Sequence, residues 1–77
     1  MNKRITNVRI MGWLKEVLDL KVIDMDNNSW LAVDRSHIAY EIFISYDTGV
    51  MSVQMLSGTM IHTTSYYYIT DKTIKRM

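Results

Sequence analysis

The stretch HIAYEIFISYDTGVMSVQML, residues 37–56, decides the fold. It contains two runs in which side chains alternate, and the first run is rich in the β-branched and aromatic residues that strands favour. Between them, DTG at 47–49 fits a short hairpin loop in which Gly49 takes the left-handed conformation. Residues 37–46 and 50–56 are therefore predicted to pair as an antiparallel hairpin.

The alternation also assigns faces, because successive strand side chains point to opposite sides of a sheet. On both strands the apolar residues fall mostly on one side, which predicts the core face. This predicted core set is Ile38, Tyr40, Ile42, Ile44 and Tyr46 on the first strand, and Met51, Val53 and Met55 on the second. Ser52 and Gln54 are then expected to point away from the core.

Downstream, HTTSYYYIT at 62–70 raises the question of a tyrosine surface. TMIHTT and SYYYIT are predicted as one long strand, or as two with a bend near Thr64. Tyr67 shares a face with Ile69 and is expected in the core, whereas Tyr66 and Tyr68 are expected outside, with Ser52, Gln54 and Thr63. Tyrosine is frequent in protein interfaces, so these five residues form the predicted partner-binding set; the alternative is that the tyrosines only stabilise the sheet by cross-strand pairing.

Upstream of the central hairpin, LKVIDM at 20–25 and SWLAVD at 29–34 flank DNN, which predicts another hairpin because asparagine tolerates positive φ. The same segment begins like a calcium-binding loop. Ser29 and Arg35 stand where that loop needs glycine and glutamate. The hairpin interpretation is therefore preferred, and no metal is expected.

Residues 7–19 are predicted to form an amphipathic helix capped by Asn7 or Thr6. Gly12 lies inside it and is expected to let the helix approach the sheet closely. A strand over residues 3–11 is the alternative, and one helical turn is predicted in the tail, 71–77. The predicted buried helix face consists of Ile10, Met11, Leu14, Val17 and Leu18.

Together these elements predict one domain, residues 1–77, of the α+β class: an N-terminal amphipathic helix packed on a four- to five-stranded antiparallel meander. The alternative is a small β-barrel with an N-terminal helix. That architecture resembles the Sm/Hfq-type barrels, whose rings bind RNA, and the resemblance implies an oligomeric RNA- or ssDNA-binding protein. Such barrels usually bend their second strand at glycines, and none lies between Gly12 and Gly49.

Charge is distributed unevenly although the net charge is only +1. Both ends of the chain are basic and the middle is acidic, and between Ser36 and Thr70 only Glu41 and Asp47 are charged. Because exposed strands usually carry charges that prevent association, this sheet is expected to be covered by the helix, a second copy or a partner. The basic residues expected to contact an anionic partner are Lys3, Arg4, Arg9, Lys72, Lys75 and Arg76.

Few residues suggest chemistry. The chain has no cysteine and two histidines, His37 and His62, both expected to be structural or solvated. It lacks phosphate-binding glycine motifs and a nucleophile elbow. Neither a signal peptide nor a membrane span is visible. We expect a cytoplasmic, soluble protein that is not an enzyme and uses no cofactor.

The expected function is binding of another protein through the tyrosine-bearing face or edge. In its small size and its content of methionine, tyrosine, isoleucine and asparagine, the chain is similar to phage- and mobile-element-encoded inhibitors of host enzymes, including anti-CRISPR proteins. That similarity implies steric blockage of a host nucleic-acid-processing enzyme. Nucleic-acid binding and a structural homo-oligomer, such as a homodimer, are the alternatives.

Overall fold

One helix precedes six strands in the computed structural model, which describes residues 2–57 and 60–77. The strands pair in chain order as an antiparallel meander, and β1 and β6 form its two edges, so the sheet is open and the barrel alternative is wrong. The predicted α+β class is confirmed, with one strand more than expected. The elements are α1 Lys3–Val17, β1 Lys21–Asp26, β2 Ser29–Val33, β3 Ala39–Ser45, β4 Val50–Ser57, β5 Met60–Ile69 and β6 Ile74–Arg76.

Helix α1 begins earlier than predicted because Asn2, rather than Thr6 or Asn7, is its N-cap. The Asn2 side chain accepts a hydrogen bond from the Ile5 backbone N–H at 3.2 Å, which satisfies a donor that the first turn leaves free. The strand alternative for residues 3–11 is therefore wrong. The helix ends as Asp19 takes a left-handed conformation (φ 56°), and the Leu20 N–H donates to the Leu14 carbonyl at 2.9 Å, as in a Schellman cap.

The buried stripe of α1 is narrower than predicted. Ile10 and Leu14 are fully buried, but Met11 and Val17 are exposed. Thr6 is also buried, so the contact follows positions i, i+4 and i+8. A Cβ added at Gly12 would meet no atom within 4 Å, which shows that the predicted close approach to the sheet is wrong.

Two predicted hairpins are confirmed. β1 and β2 join at Asn27, which has a positive φ of 46°, and the Trp30 indole N–H donates to the Asn27 carbonyl. β3 and β4 join through a turn that ends at Gly49, whose φ is 71°. Both turns use the left-handed conformation that their residue types allow.

Strand β3 starts two residues later than predicted, because residues 34–38 form a turn organised by Asp34. Its carboxylate accepts hydrogen bonds from the backbone N–H groups of Ser36 and Ile38 and from the Tyr40 hydroxyl. His37 has a φ of 64° in this turn. Ile38 therefore precedes the strand and is exposed, contrary to the prediction that it faces the core.

The C-terminal end of the chain forms a further hairpin, β5–β6, rather than a helical turn. β5 is one strand, with a register shift opposite Met55 and Leu56. The Thr70 hydroxyl accepts hydrogen bonds from the backbone N–H groups of Lys72 and Thr73, so the chain turns back and pairs as β6. The pairing of β6 with β5 therefore replaces the helical turn that was predicted for residues 71–77.

The core lies between α1 and one face of the sheet. It combines the helix stripe with inward residues of β2 to β5, and the Trp13 ring packs edge-on against Tyr67 with 4.9 Å between ring centroids. Of the predicted core set, Tyr40, Tyr46 and Met55 are half-buried rather than buried. The buried apolar residues are Ile10, Leu14, Leu20, Trp30, Ala32, Ile42, Ile44, Met51, Val53, Tyr67 and Ile69.

Candidate functional site

Helix α1 covers only one face of the sheet. The other face, which we call the outer face, consists of the strand residues that alternate with the buried ones. Cross-strand pairing arranges its centre in three rows, each named after one member. They are the Glu41 row (Asp24, Leu31, Glu41, Gln54, Thr64), the Phe43 row (Asp26, Ser29, Phe43, Ser52, Tyr66) and the Tyr68 row (Ser45, Val50, Tyr68, Lys75).

Three aromatic rings stand on this face. Phe43 exposes 37%, Tyr66 51% and Tyr68 50% of its surface. Half-buried aliphatic residues, Leu31 and Val50, lie beside them. An uncovered apolar and aromatic surface of this kind marks a site of association more often than a solvated strand face.

Charge is concentrated at the two edges of the outer face. Among its described residues on β2 to β5, Glu41 is the single charged side chain. Asp24 and Asp26 lie on β1, where Lys21 begins the strand at the far end, and Lys75 lies on β6. The centre of the face is therefore nearly neutral, with an acidic pair at one edge and a lysine at the other.

Four of the five predicted partner-binding residues come together here. Ser52 pairs with Tyr66 in one row, and Gln54 and Tyr68 occupy the two neighbouring rows. Thr63 does not belong with them, because it pairs with Met55 on the helix side of the sheet. The period of two places Thr63 with Tyr67, so its assignment to the outer face is wrong and Thr64 holds that position.

The alternation along residues 37–46 predicts that Phe43 points outward, but the predicted partner-binding set did not include this central aromatic residue of the site. Phe43 is opposite Ser52, which separates it from Tyr66 in the same row. The sequence indicated the direction of Phe43, because Ile42 and Ile44 both point inward and the residue between them then points outward. Which neighbours it would meet depended on the strand register, which the sequence did not supply.

The predicted basic residues are spread over different parts of the surface. The Lys3 ammonium lies 4.7 Å from the centroid of the Tyr46 ring. Arg9 lines two clefts, one with Lys72 beside Gly12 and one with Arg4 at the start of the helix. Lys75 lies on the outer face and Arg76 pairs with Tyr67 on the helix side. The six residues therefore do not all lie on one side of the sheet.

A polar cleft lies between the start of α1 and the β1–β2 turn, and its groups pair with one another. The Tyr46 hydroxyl donates to the Asn7 side-chain oxygen. Desolvation raises the pKa of Tyr46, and the bond with Asn7 only partly opposes that effect. These contacts hold the helix on the sheet, and the raised pKa keeps Tyr46 in its neutral form at physiological pH.

Ionisable groups elsewhere form only small surface clusters. Asp19 pairs with Arg35 at 2.6 Å and with Lys15 at 3.7 Å on the surface. Across residues 2–57 and 60–77, no three histidine, cysteine or acidic side chains are placed to share a metal ion. His37 is exposed, and the side chain of His62 lies outside the described residues.

Comparison of this chain with protein-family models, curated proteins and solved structures finds no match. Within the described part of the chain, no helix has the length and apolar character needed to span a membrane.

Proposed function

We propose that this protein is a non-catalytic binding module that presents the outer face of its sheet to another protein. The observation that carries the proposal is the presence of three exposed aromatic rings on a nearly uncharged sheet face that the helix does not cover. Interface cores are depleted in charge and enriched in aromatic residues. The outer face has both properties across its four central strands.

The face is favoured over the sheet edges as the binding surface. Edge β1 carries Lys21, Asp24 and Asp26 and a register shift between Val22 and Asp24. Edge β6 is only three residues long and carries two basic residues. Charges, irregularities and short strands all oppose the addition of a further strand, whereas nothing comparable protects the centre of the face.

A protein partner is favoured over nucleic acid. Phosphate contacts from lysine and arginine supply most of the affinity for nucleic acid, and in the described rows Lys75 is the one basic residue beside the rings. Tyr66 and Tyr68 have exposed rings on which bases stack in other proteins. Without a basic groove along these rings, the balance favours a protein surface.

The proposal is tested by capture with immobilised protein from nuclease-treated lysate, including a purified untagged copy of the chain as a candidate partner. We expect Tyr66→Ala with Tyr68→Ala to lose the bound protein. The matched control is Ile5→Ala with Val8→Ala, which removes exposed apolar side chains from α1 instead. The control should bind as the wild type does.

The outcomes separate the functions that the sequence left open. An enzyme of nucleic-acid processing that is bound by the wild type and the control, but not by the tyrosine variant, would identify the steric-inhibitor function. Binding that is seen only in a parallel untreated lysate and falls steeply with salt would instead contradict the proposal and favour a nucleic-acid-binding function. Equal binding by the tyrosine variant would remove the outer face from consideration.

A further inference from the structure

We propose that the partner on the outer face is a second copy of this chain, packed face to face about a two-fold axis that runs parallel to the strands between β3 and β4. This inference rests on the proposed protein-binding function of the face. A two-fold interface uses the same surface on both copies, so the surface must be complementary to itself. The Phe43 and Glu41 rows meet that condition.

The position of the axis determines which strands face each other. Rotation about an axis parallel to the strands reverses their order and leaves each residue at the same height along the strand. β3 therefore lies over β4 of the second copy, β2 over β5, and β1 over β6. Each row then faces its own copy in reverse order.

Side-chain size is complementary along the Phe43 row. Its central members alternate small and large: Ser29, Phe43, Ser52 and Tyr66. In reverse order, Phe43 faces Ser52 of the second copy and Tyr66 faces Ser29 of the second copy. Each ring then enters the space above a serine, which lets the sheets approach to the usual separation of about 10 Å.

Polar and charged groups are complementary as well. In the Glu41 row, Glu41 faces Gln54 of the second copy, whose amide N–H can donate to the carboxylate. The acidic β1 edge, with Asp24 and Asp26, lies over the β6 edge, where Lys75 stands one row beyond Asp26. An axis perpendicular to the strands would instead place each acidic edge on its copy, and like charges at an interface oppose association.

The face is large enough for a small interface. Six strands at about 4.8 Å spacing and about 20 Å length give a footprint of about 500 Å² per copy before side-chain relief is counted. A standard interface buries about 800 Å² per partner. Since packed sheets cross at about 30°, we expect the closest contact at the centre, around Phe43 and Ser52.

The first experiment measures self-association of the full chain by sedimentation over a concentration series. We expect a monomer–dimer equilibrium that Phe43→Ser and Ser52→Phe each weaken by at least about tenfold, because one removes the ring and the other sets two rings against each other. Combining both substitutions exchanges ring and serine. The double variant should recover affinity to within about threefold of the wild type.

The second experiment identifies the axis with a thiol cross-linker of about 10 Å, since facing sheets are too far apart for a disulfide. The chain has no cysteine of its own, so Leu31→Cys and Thr64→Cys each introduce a single thiol. The proposed axis places residue 31 over residue 64 of the second copy. A mixture of the two variants should therefore cross-link, and neither variant should do so alone.

Cross-linking of each variant with itself would overturn the proposed axis. A chain that stays monomeric at every concentration, while the tyrosine variant still loses a different protein from lysate, would overturn the second copy and leave the binding function standing. If the monomeric chain binds no protein through this face, both proposals fall. Thermal unfolding of dilute samples checks that each variant remains folded.

Discussion

Single residues hold the turns of this sheet in conformations that most side chains avoid. Gly49 combines a φ of 71° with a close backbone neighbour, because a Cβ there would lie 2.7 Å from the Ile69 carbonyl oxygen. A backbone hydrogen bond also joins the two residues, since the Ile69 N–H donates to the Gly49 carbonyl at 2.7 Å. The residue requirement at this corner is therefore set by conformation and by space together.

Replacing the two glycines with alanine should have opposite effects. Gly49→Ala should lower the free energy of unfolding by about 1–3 kcal/mol, because the left-handed conformation and the contact with Ile69 both oppose a Cβ. Gly12→Ala should raise it by about 0.5–1 kcal/mol, since alanine favours the helix and has open space there. Urea unfolding of the three proteins measures this, and two changes of the same sign would contradict it.

Asp34 gives the turn before β3 its dependence on pH. Desolvation raises its pKa, but hydrogen bonds from Ile38, Tyr40 and Ser36 outweigh that effect and leave the pKa below its ordinary value of 3.8. A carboxylate with a lowered pKa in the folded state stabilises that state above its unfolded pKa, and the contribution is lost as the pH falls through the folded value.

Replacing Asp34 with asparagine should therefore matter at neutral pH and not in acid. We expect Asp34→Asn to have a lower Tm than the wild type at pH 7, and the difference to shrink once the pH falls below about 3.8. Thermal unfolding across a pH series tests this. Asp47→Asn, at an exposed turn position, is the control, and a constant difference at all pH values would disprove the role given to the charge.

At the scale of elements, the helix is attached to the sheet by a narrow stripe. The buried residues of this stripe are Thr6, Ile10 and Leu14. Beside them, the Trp13 ring packs against Tyr67. The predicted stripe also included Met11 and Val17, which the structure leaves exposed. A 3.6-residue period defines a face about 100° wide, and only the docking angle decides which part of that face is covered.

Truncating a buried side chain and an exposed side chain of α1 should change the stability of the protein by different amounts. Leu14→Ala should destabilise the protein by about 2–5 kcal/mol because it leaves a cavity under the helix. Val17→Ala should change the stability by less than about 0.5 kcal/mol, because Val17 is mostly exposed. Chemical denaturation of both variants checks the difference, and similar losses would mean that the helix packs in another orientation.

At the scale of the whole molecule, the sheet has protected edges and an unprotected outer face. The edges carry charge and irregularity, which opposes extension into a longer sheet. The centre of the face carries rings and serines in alternation. This contrast is the reason for proposing that the protein associates through its outer face. The alternation of small and large residues along the Phe43 row is the reason for proposing a second copy as the partner.

The sequence by itself determined the α+β class, the central hairpin and the outward direction of Tyr66 and Tyr68. These features depend on local rules: the period of two, the turn residues around Gly49 and the helical spacing of Ile10 and Leu14. Each rule acts over a few residues, so the printed chain is sufficient to apply it.

Only the tertiary structure decided the strand at the C-terminus and the rows of the outer face. These depend on partners that are distant in sequence, as when β6 gains ladder hydrogen bonds from β5 and replaces the predicted helical turn. The neighbours of Phe43 likewise follow from the registers of three strand pairs. Register is a property of paired strands, and therefore the candidate site became visible only once the strands were aligned.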